Sequence, residues 1–292
     1  MPHYHVATGS WGVSIPLTLA IVFVAWAYLR GWLRLGPTAN RISAWRATSF
    51  FAGLLLIWVA LASPVAWLDH ELLTIHMIQH LLLMTIAPPL IWLGQPVLAL
   101  TSARSHRLGS TLGPRPQRFA DALTQPAFCL FVSSVVLLGW HIPAVFALGM
   151  KSESWHVVQQ ASFLVTGLLF WWPVIQPWPS IRRHELSLIL YLFLATLPCD
   201  ILSGFLVFCD RVVYPAYSSP SHLFGFSALD DQQCAAALMW TCVTIVYLVA
   251  GALLTMHFLS PAGPHEASPP PWQNPATQNL IQPRVEALEH GH

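Results

Sequence analysis

The hydrophobic pattern is one of long unbroken runs, with little of the alternation of a soluble sheet. Seven stretches, at about 12–29, 47–68, 72–93, 127–150, 155–175, 186–208 and 235–258, are apolar on every face. Each suffices to cross about 30 Å of hydrocarbon at ~1.5 Å per residue. Lipid offers no hydrogen bonds, so backbone N–H and C=O groups must be satisfied within each segment, which predicts helices. The sequence therefore predicts an all-α integral membrane protein, a bundle of seven transmembrane helices over residues 1–259. Residues 260–292 carry seven prolines and no apolar run. They are expected to form a flexible cytoplasmic tail.

The basic residues predict the orientation. Arg30, Arg34, Arg41 and Arg46 follow the first run, Arg104, Arg107, Arg115 and Arg118 the third, and Arg182 and Arg183 the fifth, while Arg284 lies in the tail. The opposite side has only Lys151 and Arg211. That asymmetry predicts an N-out, C-in topology. The first run has basic residues after it and none before it, the reverse of a cleavable secretory signal.

Hydrophobic residues make up 55% of the 292 and charged residues only 9%. Soluble domains carry roughly a quarter charged residues, so a water-soluble enzyme and a disordered chain are both excluded. Lys+Arg (13) nearly equals Asp+Glu (12), which leaves no basic excess for a nucleic-acid partner. The bilayer is the expected surrounding. Five cysteines form no CxxC pair and lie in or beside apolar runs, as small buried hydrophobes do. GxSxG, HExxH, P-loop and CxxCH motifs are all missing, and nothing suggests nucleophilic catalysis. The chain is not read as an enzyme.

Fourteen histidines are the unusual feature. With the N-terminus outside, His76 and His80 fall in the outer half of the third helix and His141 in the outer half of the fourth. His156 starts the fifth helix near the outer surface. Helical rise puts His80 and His141 roughly 12–14 Å deep and His76 at roughly 6 Å. The four are predicted to share one outward-facing cavity if their helices are neighbours. The i, i+4 spacing of His76 and His80 puts both imidazoles on one face, where they can chelate a single ion. Met84 continues that stripe and Asp69 begins it. Imidazole with thioether suits copper, Cu(I) in particular, whereas imidazole alone also accepts zinc. A single membrane histidine serves equally well as an interhelix hydrogen bond, and Met84 reads first as a packing residue and only second as a ligand.

Asp200 lies mid-run, two positions after Pro198, where a kink is expected. It reads either as a proton or metal relay or as a structural hydrogen-bonded acid. Asp230 and its neighbours begin the seventh run, where acids cap a helix. Asp231 and Gln232 also read as groups able to orient a ligating imidazole.

Four segments resemble a known family. "HMIQHLLLMTIAPPLIWLGQP" (76–96) resembles the signature of the CtaG-like assembly factors of caa-type cytochrome c oxidase. "GWHIPAVFALGM" (139–150), "SFLVTGLLFWWPVIQP" (162–177) and "DQQCAAALMW" (231–240) resemble later parts of that family in the right order. The resemblance implies a bacterial inner-membrane protein that matures a haem-copper oxidase and handles copper. Its implied partners are oxidase subunits and a periplasmic copper carrier. It carries over His76, His80, His141 and His156 as metal residues, with Asp231 and Gln232 in support. The family often has a second histidine one turn into the fifth helix, where this chain has Gln160. Other readings stay open: a haem protein with His80 and His141 as axial ligands, a copper transporter using Asp200, or a scaffold whose histidines are structural.

Overall fold

The apolar runs fold as helices, and proline ends two of them early. The computed structural model describes residues 14–34, 43–102, 123–175, 185–218, 225 and 227–259, and every element among them is helical. Helix α1 spans Ile15–Arg34 and α2 Ala44–Ala62, followed by a 3-10 stretch over Pro64–His70. Next come α3 (Leu73–Leu81), a π-helical turn (Leu82–Ile86), α4 (Ala87–Leu93) and α5 (Pro96–Ser102). The remainder are α6 (Pro126–His141), α7 (Pro143–Lys151), α8 (Glu153–Ile175), α9 (Glu185–Phe208), a 3-10 turn (Pro215–Tyr217) and α10 (Ala228–Leu259).

Among the described residues, six helices, with α3 to α4 taken as one, are long and apolar enough to cross a membrane. The count is seven if the bent pair α6 and α7 is one span. This is a multi-pass membrane protein. Large side chains such as Phe131, Phe193 and Ile201 face outward. In water each would cost ~1.5–3 kcal/mol relative to burial, whereas lipid receives them freely.

The fourth run is not the continuous helix expected over 127–150. It breaks after His141, and α7 turns away from α6 by 75°. Pro143 supplies no N–H, and its ring pushes Ile142 into extended backbone (φ −64°, ψ 124°). Pro64 acts likewise on Ser63 (ψ 163°), which ends α2 six residues before the expected limit at 68. In the third run, Pro88 and Pro89 cannot donate to the carbonyls of Met84 and Thr85. The chain widens there into the π turn, and the Ala87 N–H reaches back to the Leu82 carbonyl. Helix α9 continues unbroken through Pro198. Helix α5 was not anticipated in the basic loop.

Helix packing relies on small residues and on side chains that bond to neighbouring backbones. Helix α2 packs on α4, α6 on α8, α9 on α6, and α8 on α4 and the π turn. Gly167 of α8 makes the last contact possible. A Cβ there would lie 2.7 Å from both the Cα and the carbonyl oxygen of Met84. Tyr28 donates to the Gly94 carbonyl (2.8 Å), Ser49 to that of Leu90 (3.0 Å) and Trp92 to that of Leu168 (2.8 Å).

Contacts divide the chain into Met1–Ala252 and Leu253–His292. In the second unit, residues 253–259 are helical and mostly exposed, with Leu253, Met256, Phe258 and Leu259 facing outward. The proline-rich tail at 260–292 lies outside the described residues. So do the arginines at 41, 104, 107, 115, 118, 182, 183 and 284 on which the expected topology leans.

Candidate metal centre

Helix α3 carries two of the candidate ligands, and its start is fixed from far along the chain. No side chain from Leu72 caps it. Asp231 of α10 does so instead. Its carboxylate accepts the N–H of Leu73 (2.7 Å), the N–H of Thr74 (3.1 Å) and the Thr74 hydroxyl (2.6 Å). An acid at a helix N-terminus satisfies orphan donors and opposes the positive end of the dipole. Asp230, beside it, caps its own helix through Ser227, whose hydroxyl it accepts at 2.6 Å. Gln232 accepts the Val213 N–H (2.7 Å) and donates to the Arg211 carbonyl (3.1 Å), which holds the segment after α9 in place. Asp231 and Gln232 therefore act mainly on backbone, with the Thr74 hydroxyl as their one side-chain partner among the described residues. No imidazole is among their hydrogen-bond partners in the described residues.

One turn apart on α3, the rings of His76 and His80 have centroids 4.3 Å apart. His156, in the first turn of α8, stacks on His76 at 5.5 Å. His141, the last residue of α6, stands 6.3 Å from His80. The four imidazoles predicted from separate runs thus form one row, all buried. Asp69, from the 3-10 stretch, joins the end of the row at His156: its Oδ2 lies 3.3 Å from Nε2 of His156. Burial pushes the Asp69 carboxyl above the usual carboxylate range, and His70 and His156 draw it partly back. One donor atom each from Asp69, His76 and His156 fall within 4.8 Å of one another. Bonds of about 2.1 Å in a tetrahedral site bring donors to roughly 3.4 Å, so an ion here would draw the three inward.

Both ring nitrogens of His76, both of His80 and Nε2 of His141 are buried without a protein hydrogen-bond partner among the described residues. Each unmet buried polar group costs ~1–3 kcal/mol. His141 is oriented for use, because Nδ1 meets the Leu137 carbonyl at 2.7 Å. Carrying the proton on Nδ1 leaves Nε2 as a bare lone pair. Such donors fit a cation that accepts several nitrogens at once.

Several neighbours were not anticipated. His70 lies 3.6 Å from Oδ1 of Asp69, with its ring 5.3 Å from that of His156. Tyr217 donates to the Asp69 carbonyl and, at 3.7 Å, to the Met150 sulfur, while Tyr214 donates to the His141 carbonyl at 3.1 Å. Helix α7 and the segments after α2 and α9 therefore meet over the cluster. Gln79 and Gln159 are buried beside it, and amides inside apolar runs were the signal that could have flagged them. Gln160, where a family histidine was noted, reaches His156 Nε2 at 3.4 Å and Gln79 Oε1 at 3.5 Å.

Met84 lines a cavity of about 40 Å³ next to His80 and His141. Pro198 and Cys199 line it too, whereas Asp200, with a buried Oδ1 that meets no partner among the described residues, is not among the lining residues. His3, His5, His106, His184, His222, His265, His290 and His292 lie outside the described residues.

A multi-helix membrane protein with a buried row of imidazoles closed by a carboxylate is the class that fold and site define. The chain belongs to the cytochrome c oxidase caa3 assembly factor family (Caa3_CtaG), whose model matches residues 26–260. It is 24% identical over 240 residues to the uncharacterized protein ML1998 of Mycobacterium leprae, covering 78% of this chain and 36% of that one. It is 26% identical over 258 residues to the uncharacterized protein Mb0105 of Mycobacterium bovis, covering 84% and 39%. The chain thus spans less than two fifths of the curated relatives it matches. No solved structure matches it.

Proposed function

We propose that the protein is a non-enzymatic assembly factor for a haem-copper cytochrome c oxidase. It binds copper at the histidine row and passes the ion to an oxidase subunit or a periplasmic carrier by ligand exchange. Family membership supports the assembly role. One observation supports the copper role: five buried ring nitrogens of His76, His80 and His141 lie in one apolar bundle without protein partners among the described residues. Imidazole donors hold copper well, and a site closed on one flank by a single carboxylate leaves room for an incoming ligand.

The cluster lies where α7 meets the segments after α2 and α9, and the arginines concentrate in the alternate segments. By the positive-inside tendency this end faces away from the cytoplasm, and on the family reading that side is the periplasm and the membrane the bacterial inner one. The cavity beside His80 and His141 suits a bare ion or a few waters, each needing about 10–15 Å³. That favours copper over a haem macrocycle.

The deciding measurement is copper content of the purified full chain after anaerobic loading, wild type against His76→Ala/His80→Ala. The double variant is expected to lose the ion, and unchanged copper would remove the metal role. In cells, deleting the gene should lower oxidase activity, with rescue by added copper. A deficit that copper does not relieve would point to scaffolding.

A further inference from the structure

Two chemically different environments lie along the histidine row. At the Asp69 end the donors are a carboxylate and the imidazoles of His76 and His156. Beyond His80 the lining changes. The cavity there is bordered by His80 and His141, by Met77, Met84 and Met239, and by Cys199. The chain has six methionines, and three of them border this one space. They come from different elements: Met77 from α3, Met84 from the π turn, Met239 from α10, with Cys199 from α9. Met77, His80 and Met84 follow i, i+3, i+7 and so share one helical face. The contact of Gly167 with the Met84 backbone sets how deep that face sits.

We propose that this cavity is a second metal site, selective for a soft monovalent cation such as Cu(I), with His80 and His141 as nitrogen ligands and the methionine and cysteine sulfurs as soft partners. The proposal rests on the copper-handling reading and divides the site that reading treats as one. The lining contains no carboxylate. Ion transfer into such a medium costs energy in proportion to charge squared, so a monovalent ion pays about a quarter of the penalty of a divalent one of equal size. Thioether and thiol sulfur prefer soft ions, and imidazole accommodates them. The Nε2 lone pair of His141 is held ready by the bond from Nδ1 to the Leu137 carbonyl, and neither ring nitrogen of His80 is engaged. The Asp69 end has the opposite character: its carboxylate offsets a second positive charge, which suits Zn(II) or Cu(II). His76 and His80, in ring contact, join the two sites.

The test uses the full chain in detergent, with Ag(I) as a redox-silent soft probe and Zn(II) as the divalent one. The wild type should bind both together, with neither displacing the other. Met77→Leu/Met84→Leu/Met239→Leu keeps volume nearly constant and should weaken Ag(I) binding roughly tenfold or more, with Zn(II) binding within about twofold. Asp69→Asn/His156→Ala should do the reverse, and Cys199→Ser should weaken Ag(I) alone. X-ray absorption of the Cu(I)-loaded wild type should show sulfur neighbours that the triple variant lacks. Elution volume and thermal midpoint identify any variant that fails to fold, and the absorption spectrum of the wild type decides without variants. Copper surrounded only by nitrogen and oxygen, or Zn(II) displacing Ag(I) one for one, overturns the second site and leaves the single copper site standing. Binding of neither ion overturns both.

Discussion

His156 Nε2 faces Asp69 Oδ2 at 3.3 Å, and this contact joins the first turn of α8 to the 3-10 stretch that precedes α3. A carboxylate at this distance either accepts from the imidazole or shares an ion with it. Asp69→Asn keeps the shape and removes the charge. It should weaken divalent-metal binding roughly tenfold to hundredfold, as loss of a ligand partner does. Competition with a chromophoric chelator measures this, and wild-type affinity in the variant would exclude Asp69 from the site.

Gln160 is already within 3.4 Å of His156 Nε2. Gln160→His puts another imidazole beside the cluster without enlarging the side chain much. Divalent-metal affinity should rise, read by the same competition. A variant that folds normally and binds no tighter would show that position 160 does not reach the ion.

Asp231 holds two backbone donors and one hydroxyl at the start of the helix bearing His76 and His80. Asp231→Ala should cost ~0.5–2 kcal/mol, the range for lost helix caps, and lower the thermal midpoint in detergent. Because Asp230 caps only its own exposed helix end, Asp230→Ala should cost less. Equal effects would mean that Asp231 does not anchor α3.

Gly167 allows α8 to touch the Met84 backbone, where an added Cβ would lie at 2.7 Å. The opposing atoms are backbone and cannot swing aside. Gly167→Ala should therefore destabilise by ~1–3 kcal/mol through overpacking. It should also disturb Ag(I) binding more than Zn(II) binding, because Met84 borders the deeper cavity. A thermal midpoint equal to the wild type would show that the helices separate at little cost.

Tyr217 covers the cluster through its bond to the Asp69 carbonyl, and burial keeps its hydroxyl well above its ordinary pKa and thus a neutral donor. Tyr217→Phe removes one buried hydrogen bond, costing ~0.5–1.5 kcal/mol. Metal release into a chelator should quicken. An unchanged release rate would mean that this segment does not limit access.

The sequence by itself determined which segments are helical and apolar, because lipid imposes that requirement on every residue of a span. It also singled out His76, His80, His141 and His156, because ionisable groups in hydrocarbon are costly enough to stand out in any reading. It showed that His76 and His80 share a face, since that follows from helical geometry alone. Other features depended on which surfaces meet. Asp231 reaches Leu73 across 158 positions of chain, and only the packed bundle shows that it caps a distant helix. The 75° bend after His141 follows locally from Pro143, yet what it achieves, freeing the His141 carbonyl for Tyr214, required the fold. Three methionines and a cysteine scattered over four elements look like packing in one dimension. They become the lining of a single cavity only once the helices are placed, because periodicity fixes the face of each helix but not its neighbour.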